Sequence, residues 1–148
     1  MVHTVVGSLV ILSSLAAGLY GLWSWWRAQP APLFWTLLRT SQVILVVQLV
    51  IGVVLLTSGY EPPSLHLLYG LLPVAISFVG EQLRLAAADQ VLVKRDLDSA
   101  RDMEHLPKAE QRDIVLEIVR RETGVMAASA LVVCALALRA AGVAGFIV

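Results

Sequence analysis

Charge is missing from four long stretches of this chain. Residues 1–26 contain no Lys, Arg, Asp or Glu; 21 uncharged residues separate Arg39 from Glu61, and 19 separate Glu61 from Glu81. The last 26 residues, from Thr123 to Val148, carry one charge, Arg139. A bilayer core is about 30 Å thick, and a helix rising about 1.5 Å per residue crosses it in about 20 residues. Unpaired backbone N–H and C=O groups are costly in hydrocarbon, so a spanning segment must be a helix or part of a closed barrel. Apolar runs this long, without polar alternation, do not read as barrel strands. The sequence predicts an all-α polytopic membrane protein, one domain over 1–148. Four transmembrane helices form an antiparallel bundle, at about 2–26, 33–58, 63–93 and 108–147.

Composition points the same way. The chain is 58% hydrophobic and 15% charged, whereas a soluble domain carries about 25% charge. Eleven basic residues balance eleven acidic ones, which excludes a protein that holds nucleic acid through bulk positive charge. The single cysteine, Cys134, forms no internal disulfide and reads as a small buried hydrophobe. The first stretch reads as a retained helix. It is too long for the apolar region of a signal peptide, lacks a basic start, and ends in Trp23, Trp25, Trp26 and Arg27 rather than a small-residue cleavage site.

Loop charge sets the expected orientation. The loop around Arg27 to Arg39 has two basic residues, and the segment 81–122 has eight; the opposite side has only Arg139. Basic loops face the cytoplasm. Loops 27–39 and 81–122 are therefore expected inside, with both termini outside, in a bacterial cytoplasmic (inner) membrane. The four tryptophans flank the first loop, where indoles sit at headgroup level. Gln29-Pro30-Ala31-Pro32 and Glu61-Pro62-Pro63 read as tight turns, because proline lacks a donor and restricts the residue before it.

Residues 81–122 hold eight basic and ten acidic side chains, 18 of the chain's 22 charges. Apolar residues within this segment keep helical spacing, as in Leu85, Ala88, Leu92 and in Ile114, Val115, Ile118, Val119. Helices three and four are therefore expected to continue into the cytoplasm as a stalk joined near 96–106. Ser99 with Asp102 resembles a capping box, and Pro107 suits a first helical turn. Glu81 with Arg84, and Glu117 with Arg121, fall at spacings that pair charges on one face; Lys94 and Arg95 suit the end of helix three. These six residues are either a solvated face, each pair contributing tenths of a kcal/mol, or a docking surface for a cytosolic partner, another membrane-complex subunit or a second copy.

Polar residues inside the apolar stretches are few. His3 and His66 fall near the outer ends of helices one and three, each followed four residues later by glycine (Gly7 and Gly70). Counting through the loops places the two imidazoles within about one turn in depth. A b-type haem needs two axial nitrogens and space for its edge, and glycine one turn away supplies space. An interfacial or packing role, or a contact to a metal or quinone, are the alternatives. Pro73 removes the bond to the Tyr69 carbonyl and should kink helix three. Gln48, at a similar depth, is expected to bond helix three, or else to face a ligand. Ser14…Gly18, Ala17…Gly21 and Gly124…Ala128 are small-residue pairs that allow close helix approach, within the bundle or between copies.

Gln48-Leu49-Val50-Ile51-Gly52 followed by Leu65-His66 resembles the Q-x-x-x-G…L-H pattern of one half of haem A synthase, and more generally b-type cytochrome bundles. The resemblance covers helices two and three and implies haem b as cofactor. Over its whole length the chain is similar to small four-helix integral membrane proteins of high-GC bacteria, which implies no activity. No acidic residue occupies the centre of a span, which argues against a proton-coupled exporter. Gln42, Gln48 and Ser77 are too few for a solute path. No phosphate loop, His-Glu zinc pattern or nucleophile elbow occurs, so no enzyme is indicated. The expected function is that of a non-enzymatic accessory or assembly subunit that docks through its charged hairpin, with a haem protein ligated by His3 and His66 as the alternative.

Overall fold

A computed structural model describes residues 1–143. The chain is all-helical: α1 Val2–Arg27, α2 Pro32–Thr57, α3 Ser64–Lys94 and α4 Lys108–Val143, with a short 3₁₀ helix, Ala100–His105, between α3 and α4. All four long helices are long and apolar enough to cross a membrane, as expected of a multi-pass membrane protein. The expected extension of helix four over 144–147 lies outside the described residues.

The helix ends follow local chemistry. Ala28 closes α1 in the left-handed conformation, a common way for a helix to end, although glycine usually fills that position. Pro32 opens α2, where a missing N–H costs nothing. Gly59, at φ 87°, turns the chain after α2. The Ser99 N–H and hydroxyl both donate to Asp102, at 2.8 and 3.1 Å, so aspartate closes this turn in place of the usual glutamate. Pro107 precedes α4, and its carbonyl accepts from Gln111 N–H.

α4 is the hub. It packs along both α1 and α3, α1 also packs along α2, and α2 touches α3 at few points. His66 meets Ala140, Arg84 meets Glu122, and Arg95 meets Glu117, so α3 and α4 pair along most of their lengths. Small residues permit the central contacts. A Cβ on Gly18 would fall 2.6 Å from the Leu131 side chain, and one on Gly21 would collide with Phe34 and lie 2.9 Å from Ala127 Cβ. Ala17, Phe34, Leu38, Met126, Ala127 and Ala130 form one buried cluster; Val10, Leu45 and Val133 form a second. A further seam runs into the charged hairpin, where Val91 and Ile114 are fully buried. Most other large apolar side chains are exposed, including Val43, Val46, Val47, Val50, Val53 and Val54 on α2.

Candidate functional site

Two residues distant in sequence meet at the end of the molecule opposite the hairpin. The rings of His3 on α1 and His66 on α3 stand 6.0 Å apart, centroid to centroid, with planes inclined at 61°. Each is held by a different neighbour. His66 Nδ1 lies 3.0 Å from the Ala140 carbonyl on α4. A carbonyl only accepts, so Nδ1 carries the proton and Nε2 keeps its lone pair. The Gln48 amide on α2 donates to His3 Nε2 at 3.2 Å, which places the proton of a neutral His3 on Nδ1. All four helices therefore contribute to one polar cluster.

The cluster is incompletely satisfied. His3 Nδ1 and Gln48 Oε1 are buried without a hydrogen-bond partner. Burying a polar group unpaired is costly, which makes such atoms informative. These two are complementary, a donor and an acceptor. Gly7 and Gly70 lie one turn along from His3 and His66, and Gly52 on α2 lies beside His3. A Cβ on Gly7 would meet Gln48 Nε2 at 3.1 Å, one on Gly52 would lie 3.8 Å from His3 Cε1, and one on Gly70 would meet nothing within 4 Å. The space one turn from His3 is thus taken up by the Gln48 amide, whereas the space one turn from His66 is open. Beside the cluster, the Arg139 guanidinium lies 5.6 Å from the Tyr69 ring centroid.

Gln48 does not bond α3, as its depth beside Pro73 suggests. α2 leans on α1 and touches α3 at few points, so the amide reaches across to α1. Pro73 is buried in α3, and its carbonyl accepts from the Ser77 hydroxyl at 2.9 Å. Ser41, Gln42, Ser77 and Ser129 border a small, partly open pocket of about 10 Å³, room for a single water.

The six charged residues of the hairpin pair mostly with one another. Glu81 takes Arg39 from the start of α2 and Arg84, and it accepts from Gln42 at 3.1 Å. Arg84 also lies 3.6 Å from Glu122 and 5.6 Å from the Trp35 ring. Glu117 gathers Lys94, Arg95 and Arg121 at 3.8, 3.2 and 3.2 Å. The Arg95 hydrogen bond, with these cations, holds the Glu117 carboxyl below its ordinary pKa. Sequence spacing picks out the Glu81–Arg84 and Glu117–Arg121 pairs; it gives no sign of the pairings between helices. The tryptophans also divide. Trp23 and Trp26 are exposed, whereas Trp35 stacks at 5.1 Å on Phe34 and Trp25 fills the space over Gly124.

Among the described residues, no group of three or more His, Cys, Asp or Glu could hold a bare metal ion. No protein-family model, curated protein or solved structure matches the chain.

Proposed function

We propose that this is a polytopic protein of a bacterial cytoplasmic membrane, an antiparallel four-helix bundle that holds a b-type haem between His3 and His66. One observation carries the reading: the two imidazoles, 63 positions apart in sequence, stand with ring centroids 6.0 Å apart. The two imidazoles would hold the iron of a haem placed between them. His66 is arranged as metal-ligating histidines usually are, its Nδ1 proton given to a backbone carbonyl and its Nε2 lone pair presented. At His3, Nε2 is held by Gln48. To hold a haem, Nε2 would have to leave the Gln48 amide, whose Oε1 has no partner of its own. The loose α2–α3 seam and the open space at Gly70 favour entry of a flat ring system from the side. His3 and His66 would hold the haem through their imidazoles, and the haem would supply one-electron transfer there.

Protein purified from haem-replete cells should show a Soret band and reducible alpha bands. His66→Ala and His3→Ala should each lose the alpha bands. Colourless protein, or bands unchanged in both variants, would overturn the assignment.

A second reading rests on the exposed tip of the hairpin. Arg101, Glu104, Lys108 and Arg112 are exposed and take part in no ion pair among the described residues. In this reading the protein is a non-enzymatic accessory subunit whose cytoplasmic stalk docks a partner. Deleting 96–106 should then abolish co-purification of partners; an unchanged set of partners excludes it.

A further inference from the structure

A groove of about 550 Å³ opens on the side of the bundle where α1, α3 and α4 meet. Its volume lies in the range of about 300–1,000 Å³ typical of ligand sites. Leu22 and Leu131 contribute apolar walls, and Trp25 and Gln90 contribute polar edges. Arg121 is the one charged residue in the lining. Gly124 lets the Trp25 indole pack against α4 at the edge of the groove: a Cβ there would sit 2.8 Å from that indole. Arg120, next in sequence to Arg121, lies 5.7 Å from the centroid of the same indole and pairs with no acid among the described residues. Arg121 shares its acid, Glu117, with Lys94 and Arg95. One carboxylate is shared by three cations, and Arg120 has none, so two guanidiniums at this end of the groove are free to take a further anion.

An apolar trough that ends in arginines and an indole matches an amphiphile with an anionic head. Basic pockets between transmembrane helices on the cytoplasmic side bind such headgroups, and indoles settle at that depth. We infer that the groove between α1, α3 and α4 is a binding site for an anionic phospholipid, with its phosphate at Arg120 and Arg121 and an acyl chain along Leu22 and Leu131. The headgroup would give Arg120 an anionic partner and Arg121 a second one. This site lies at the opposite end of α1 from His3, so it stands or falls independently of the haem reading.

The test uses the full-length protein, delipidated in detergent and titrated with phosphatidylglycerol or phosphatidylcholine. Retained lipid is counted by native mass spectrometry. One phosphatidylglycerol should be retained in preference to phosphatidylcholine by about 30-fold, the factor expected for two arginines near an anionic headgroup. The double variant Arg120→Gln, Arg121→Gln should lose that preference, and the visible spectrum should not change. Arg121 also pairs with Glu117, so Arg120→Gln alone is the control for folding; it should lose about 5-fold. Inorganic phosphate should not compete, because it lacks the chain that fills the trough. Equal retention of the two lipids, a preference that survives both variants, or displacement by phosphate would overturn the site.

Discussion

At Gly21 the packing leaves no room for a methyl group. The added carbon would collide with Phe34 and press on Ala127, both fully buried. Overpacking a tight site costs roughly 1–3 kcal/mol, whereas an uncrowded helical glycine replaced by alanine gains up to about 1 kcal/mol. Gly21→Ala should therefore lower the unfolding temperature in detergent, and Gly142→Ala, where nothing lies within 4 Å, should leave it unchanged or raise it. A scanning fluorimetry melt of both variants checks the contrast. Some of this is legible in sequence. Ala17…Gly21 has the spacing of a close helix contact; which side chain fills the gap does not follow from spacing. Phe34 is fixed by how α2 leans on α1. Gln48 shows the same limit. Its depth is readable from residue counting, its direction is not, and the structure turns it toward α1 and His3.

At the level of the element, the hairpin is held by two carboxylates, each serving several cations. Glu117 is the clearer case for pH. Its pKa is lowered in the folded protein, chiefly by the Arg95 hydrogen bond. A carboxyl depressed on folding adds stability at pH values above its unfolded pKa of about 4.3, and that contribution fades as pH falls through the lower, folded value. Amide exchange in 94–121 should accelerate as pH drops below about 4, after correction for the intrinsic rate. Glu117→Gln should remove that acid-dependent component and show faster exchange already at pH 7; an identical acid response in the variant would contradict it. The helical periodicity of 81–122 and the turn near 96–106 are written in the sequence. The partners between helices are not, because register along α3 and α4 decides which basic residue faces Glu117.

For the whole molecule, the distribution of charge foretells four long apolar helices and says little about which neighbours pack. Loops of a few residues would seat each helix beside the next, yet α2 and α3 barely meet and α4 serves both α1 and α3. The small faces of α1 explain this: Gly18 accepts Leu131 and Gly21 accepts Ala127, and α2 offers no comparable surface to α3. Orientation gives a direct check. Single cysteines at Ala28 and Ser99 should react with an impermeant maleimide only from the cytoplasmic face, and one at Gly59 only from the other. Native Cys134 is buried and should contribute little background. Labelling of Ser99→Cys and Gly59→Cys from one face would refute the arrangement.

The partnership of α1 with α4 bears on how the chain is made. Helices enter a membrane in the order of synthesis, and bundles then assemble from inserted helices. Leu131, which closes over Gly18, emerges more than a hundred residues after it. Until then α1 has only α2 as company, with a bare flank of Gly and Ala turned toward acyl chains. A chain truncated before α4 lacks Ala127 and Leu131, so that flank of α1 stays uncovered.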